Sequence, residues 1–314
     1  METLKSTSIG ARQSWVNIAK LLWGWGLPVT VLVILALRLE NGVWRTYSWE
    51  YLEISYLAVA LVLLPLNLGL EAYKWRYMTQ FSVKRKFVDV LKLVLAGRAV
   101  NMITPLGLGD AVVRVGDIEP EQRMKAIAVL AMARVSQMVP TLVLGGMATV
   151  FLLRQGVEVF DSGRLQWVLV GLVSLVLLGF LTRKRVSDWL GEYYQYFICF
   201  DIWQWVTILL LSFLRYAVFS VQFCLVFYGL EIGLDFQVVL LGVFWVFLVK
   251  TVIPNMTILG DLMKREISAV LFFSLFTSDL MLISVGSAVV WLINIVIPSV
   301  LGLAYVSRFR PRLS

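Results

Sequence analysis

The sequence predicts an all-α polytopic membrane protein of about six spanning helices and two re-entrant hairpins, arranged as an inverted repeat. Three observations lead there. Of the 314 residues, 60% are hydrophobic and only 15% are charged. Several apolar runs reach or approach the ~20 residues a bilayer crossing requires. The tripeptide Leu-Gly-Asp occurs twice, as Leu108-Gly109-Asp110 and Leu259-Gly260-Asp261, with Arg114 and Arg265 each four residues past the aspartate. Each copy lies shortly after a proline, Pro105 or Pro254, that interrupts an apolar run.

Residues 1–20 are a polar N-terminal segment. The first repeat, 21–153, begins with an apolar run from Leu21 to Leu37 that accommodates Pro28. It has no small-residue cleavage site and reads as an anchor rather than a signal peptide. A second run, Leu52–Leu70, precedes a basic stretch with Lys74, Arg76, Lys84, Arg85 and Lys86. Phe87–Thr104 is apolar, carries Lys92 and Arg98, and stops at Pro105. With the first Leu-Gly-Asp it forms the hairpin at about 87–118, read as an apolar arm, a break and a shorter arm. Ala126–Leu153 is the third span and holds Arg134.

The second repeat, 165–306, follows the same order. Leu165–Leu181 is a plain span. Arg183-Lys184-Arg185 opens an aromatic stretch with Trp189, Tyr193, Tyr194 and Tyr196, expected to lie in the interface. Trp203–Leu230 spans with Arg215 inside it. Phe236–Ile253 carries Lys250, stops at Pro254, and forms the second hairpin, about 236–276, with the apolar piece Ile267–Phe276. Leu280–Val306 is the last span, and residues 307–314 are a basic tail with Arg308, Arg310 and Arg312.

Loop charge separates hairpins from ordinary spans. With both segments re-entrant, seventeen loop Lys and Arg fall on the side of the two termini and four on the other. Spanning arms would move Arg114, Arg123, Lys125 and the 183–185 cluster to the wrong side. The positive-inside rule therefore favours hairpins and cytoplasmic termini. Three spans per half then place the second half upside down, so the hairpins enter from opposite faces.

Each Asp–Arg pair allows two readings. An aspartate near a helix start can cap amides and pair with the arginine one turn on, a purely structural role. Recurrence at two related breaks favours a binding role. Arg98, Arg134, Arg215 and Lys250 also interrupt apolar segments, and an isolated arginine can snorkel to an interface. Asp110 and Asp261 are the clear buried acids, with Glu71 and Glu266 near the edges. The interior is then net cationic, and a buried unpaired cation is costly. An anionic or zwitterionic headgroup would fit, held by arginine forks and helix N-termini. The binding set is Arg98, Asn101, Asp110, Arg114, Arg134, Arg215, Lys250, Asp261 and Arg265.

Composition narrows the chemistry. The net charge of +8 in so apolar a chain records basic loops and does not point to nucleic acid. The sequence has no histidine, which removes His relays and Ser-His or Cys-His catalysis. Cys199 and Cys224 lack metal-ligand spacing and read as small buried hydrophobes. No metal, cofactor, catalytic residue or nucleotide-binding loop is expected.

The motifs resemble those of the lysylphosphatidylglycerol synthase transmembrane-region (flippase-domain) family, over roughly residues 15–308. Asn67 with Lys74-Trp75-Arg76 resembles its Asn…Arg-Trp signature. Asn101…Pro105-Leu-Gly-Leu-Gly109-Asp110…Arg114 resembles its Asn…Pro…Gly-Glu…Arg motif. Arg134 falls where the family has an arginine, and Pro254…Gly260-Asp261…Arg265 resembles the second-half motif. The chain departs from the pattern with Asp for Glu at 110 and 261, with Gln137 near an expected acid, and with Glu266 after Arg265. The resemblance implies a lipid flippase of the bacterial inner membrane. With nothing after Ser314, the soluble aminoacyl-transferase domain of bifunctional members is expected to be absent, and the chain is expected not to be an enzyme. Its partners would be a phosphate-bearing lipid and the surrounding membrane; a homo-oligomer is compatible with the sequence. Two other classes stay open: a membrane-embedded transferase acting on lipid-linked substrates through Glu71 or Asp110, and a non-catalytic accessory subunit.

Overall fold

A computed structural model describes residues 52–80, 84–104, 107–155, 191, 200–252 and 258–306. The expected spans at 21–37 and 165–181, the interfacial stretch after 183, the two prolines at 105 and 254, and the terminal arginines lie outside these residues. Among the described residues all regular structure is helical. In chain order the helices are α1 (Ile54–Met78), α2 (Phe87–Ile103), α3 (Leu108–Gly116), α4 (Arg123–Arg154), α5 (Ile202–Gly229), α6 (Phe236–Val252), α7 (Ile258–Phe273), α8 (Leu280–Trp291) and α9 (Ile297–Val306). A 3₁₀ turn, Pro120–Gln122, leads into α4, and a π-helical turn, Leu292–Val296, joins α8 to α9. Four helical units are long and apolar enough to cross a membrane: α1, α4 with its 3₁₀ lead-in, α5, and α8–α9 taken together. This is the helical membrane protein that composition predicts.

The helix ends follow from local chemistry. Asp201 caps α5: its carboxylate accepts from Ile202 N at 2.7 Å, while Gln204 Oε1 accepts from Asp201 N at 2.9 Å. Gly107 precedes α3 with φ 71°, a left-handed conformation that favours glycine. The carbonyl-to-amide ladder of α8–α9 widens into its π turn just before Pro298, which has no N–H to give.

The two Leu-Gly-Asp segments each form an antiparallel helix pair. Helix α3 folds back on α2, with Gly97 against Asp110. The outer ends meet, because Arg85 forms an ion pair with Asp117 and donates to its carbonyl oxygen at 2.8 Å. In the second pair, Lys250 near the end of α6 reaches Asp261 near the start of α7 at 3.0 Å. At the other end, Gly242 of α6 lies against Phe272 and Phe273 of α7.

Packing between the two halves is reciprocal. Helix α9 of the second half lies along α2, and α4 of the first half lies along α6. A glycine makes each approach close. A Cβ on Gly302 would sit 2.6 Å from the Leu95 carbonyl carbon, and one on Gly145 would sit 2.5 Å from Leu248 Cβ. Small residues at such crossings are how helices associate in lipid, where apolar burial gives little drive. Helices α1 and α5 cross antiparallel at the centre: Gly229 accepts from Glu53 N at one end and Lys74 reaches Ser212 at the other. Aromatic residues Phe223, Phe227, Phe272 and Phe273 fill the second half's core. Trp75, Met78, Val94 and Met132 fill that of the first.

Candidate functional site

The two helix pairs, the central crossing and α4 line an open-sided cavity of ≈ 450 Å³. Eight of the nine residues singled out from the sequence line it: Arg98, Asn101, Asp110, Arg114, Arg134, Arg215, Lys250 and Arg265. The ninth, Asp261, stands behind the wall, paired with Lys250 at 3.0 Å and with Arg265 at 3.7 Å. Residues up to 167 positions apart in sequence thus converge on one space.

One wall is built around Glu71. Its carboxylate takes Arg114 Nη1 at 2.8 Å on one oxygen and Arg215 Nη1 at 2.7 Å on the other. Gln137 Nε2 also donates to it, at 2.9 Å. Arg114 is held further by Asp110, 2.7 Å from its Nε, and stacks over Trp75 at 5.4 Å. Arg215 Nε donates to Asn67 Oδ1 at 3.1 Å, and its guanidinium lies over Phe219 at 5.4 Å. Asn67 in turn donates to Gln222 at 3.3 Å and Asn294 at 3.4 Å. Two carboxylates thus meet two guanidiniums in one network.

Glu71 corrects the sequence reading, which put it near the edge of a span ending at Leu70. Helix α1 continues to Met78 and turns Glu71, Lys74 and Trp75 inward, all buried. Lys74 reaches the Ala133 carbonyl and Ser212 Oγ, each at 3.3 Å. Gln137, where an acid was expected, is the neutral donor to Glu71. Asp110 does not cap α3; the Gly109 amide donates instead to Thr104 Oγ1 at 2.8 Å, and Asp110 faces its arginine.

The remaining wall is less satisfied. Arg265 is only 1% exposed, and its Nε and Nη1 have no hydrogen-bond acceptor among the described residues. Tyr216, 8% exposed, has a hydroxyl without a partner among the described residues, and its ring rests on Phe247 at 5.2 Å, one turn before Lys250. Arg98 meets no carboxylate among the described residues. Arg134 is exposed and donates to the Gly107 carbonyl at 3.0 Å, which fixes the left-handed turn before α3. The lining carries six cations against the carboxylates of Glu71 and Asp110, with Asp261 alone behind them. No group of three or more metal-ligand side chains occurs among the described residues.

Comparison with known proteins returns no matching family model, no matching curated sequence and no matching solved structure.

Proposed function

We propose that the chain is a lipid flippase or transporter that binds a polar, phosphate-bearing headgroup in the central cavity and leaves the acyl or prenyl tails in the bilayer. The observation that carries this reading is the cationic excess in the cavity that the two helix pairs help to line. Arg265 is buried, Arg98 and Lys250 are partly buried and Arg134 is exposed, so an anion entering the cavity meets more positive charge than the carboxylates among the described residues cancel.

The architecture we infer is six spans with two re-entrant hairpins, α2–α3 and α6–α7. The ion pair joining Arg85 to Asp117 supports it, because the chain enters and leaves the first hairpin at one place. The reciprocal contacts of α9 with α2 and α4 with α6 support an inverted repeat. In such a fold, rocking one half against the other exposes a central site to alternate faces. We place the chain in a bacterial cytoplasmic membrane with both termini inside, from loop charge and from the resemblance to the lysylphosphatidylglycerol synthase transmembrane-region family.

The cavity suits a carrier better than a transferase. Glu71 and Asp110, the acids a transferase would use, are both engaged by arginines. An accessory subunit would not need buried cations facing a cavity. The test is translocation of labelled anionic lipids in vesicles holding the purified protein. Transport that depends on Arg98 and Arg134 supports the proposal. Absence of transport, with product formed from lipid-linked donors, favours the transferase.

A further inference from the structure

The two halves of the cavity wall are not equivalent. Asp110 and Asp261 lie 151 residues apart, and so do Arg114 and Arg265. At the same offset from Glu71 stands Gln222. By sequence offset alone, a neutral amide stands in the second half where the first half has the Glu71 carboxylate. Gln222 is fully buried, donates to the Ala60 carbonyl at 2.9 Å and accepts from Asn67. It offers no charge to Arg265.

The two arginines differ in the same sense. Arg114 has two carboxylates, Glu71 at 2.8 Å and Asp110 at 2.7 Å. Arg265 has one, Asp261, at 3.7 Å, and shares it with Lys250. Its Nε and Nη1 are left bare while the residue is buried in the cavity wall. Tyr216 lines the same cavity, and its hydroxyl is likewise buried and without a partner among the described residues. A buried donor without an acceptor is a standing cost unless a ligand fills it.

Charge sets the ligand class. Glu71 and Asp110 offset Arg114 and Arg215. Asp261 offsets one of Lys250 and Arg265. One of that pair, together with Arg98, Arg134 and the buried Lys74 behind the wall, has no balancing carboxylate among the described residues. A phosphodiester brings a single negative charge, and a zwitterionic headgroup brings none overall. A phosphomonoester brings about −1.5 to −2 near neutral pH, with three strong acceptor oxygens.

We propose that the cavity takes a phosphate group bearing more than one negative charge, a phosphomonoester or a diphosphate, and that Arg265 and Tyr216 of the cavity wall turn their unused donors to it on binding. This rests on the transport reading only for where the phosphate comes from. A lipid monophosphate and free phosphate share the chemistry, and the test separates them.

Purified full-length protein in nanodiscs is titrated with phosphatidic acid, with phosphatidylglycerol and with inorganic pyrophosphate, and affinity is read from intrinsic tryptophan fluorescence and thermal shift. Phosphatidic acid is expected to bind about ten-fold or more tighter than phosphatidylglycerol, as extra charge-assisted hydrogen bonds imply. Pyrophosphate is expected to compete with it. Tyr216→Phe and Arg265→Lys are each expected to lower the preference to about three-fold or less. Tyr216→Phe removes an unpaired hydroxyl, so it should fold at least as well as the wild type.

Equal binding of phosphatidylglycerol overturns the proposal and leaves lipid transport standing. Full preference retained in both variants overturns the docking site. Binding of pyrophosphate but of neither lipid supports the phosphate chemistry and removes the lipid reading instead.

Discussion

Glu71 of α1 bridges Arg114, at the first helix pair, and Arg215, on a helix of the opposite half, at 2.8 and 2.7 Å. One carboxylate thus ties together segments separated by more than a hundred residues. Removing one partner of a buried ion pair is far costlier than the pair's net worth, because the other charge is stranded. Glu71→Gln strands two guanidiniums, although Asp110 still faces one of them. A loss of about 3–5 kcal/mol is expected. Thermal unfolding in detergent measures it, and an unchanged midpoint contradicts the hub role.

The two Leu-Gly-Asp aspartates should differ in weight. Asp110→Asn leaves Arg114 with Glu71, so a loss of about 1–2 kcal/mol is expected. Asp261→Asn leaves Lys250 and Arg265 without their shared carboxylate, and the loss should approach about 3–5 kcal/mol. Measuring both variants under one condition ranks them. The reverse order would show that the second pair's charges are balanced elsewhere.

Adjacent glycines on α4 should respond with opposite signs. A methyl at Gly145 meets Leu248 Cβ, an atom fixed to the α6 backbone, whereas a methyl at Gly146 meets nothing within 4 Å. Gly145→Ala is expected to cost about 1–3 kcal/mol through overpacking. Gly146→Ala is expected to be neutral or to gain up to about 1 kcal/mol from helix propensity. Similar effects at both positions would mean that α4 does not close on α6 as described.

How much of this was legible in the sequence depends on the kind of signal. Arginines and a lysine inside apolar runs stand out against what lipid tolerates, so Arg98, Arg134, Arg215 and Lys250 could be picked out and do line one cavity. The repeated Leu-Gly-Asp marked the turns of the two helix pairs. The polar residues after Leu70 look like a loop, whereas α1 runs two further turns and buries Glu71 and Lys74 while leaving Arg76 exposed. Tyr216 and Gln222 gave no warning. An aromatic or an amide in an apolar helix reads as filling, and only the packed structure shows that Tyr216 lacks a partner. The capping role expected of Asp110 belongs to Thr104, because the closer arginine competes for the carboxylate.

The central claim is that cations facing the cavity move an anionic headgroup across the membrane. The most direct measurement is the translocation rate of a labelled phosphate-bearing lipid in reconstituted vesicles, comparing wild type with Arg98→Ala. Arg98 meets no carboxylate in the described structure, so its loss should leave the fold intact. A rate reduced by about ten-fold or more, with the unfolding midpoint unchanged, is the expected result. A folded variant that moves lipid as fast as the wild type contradicts the account.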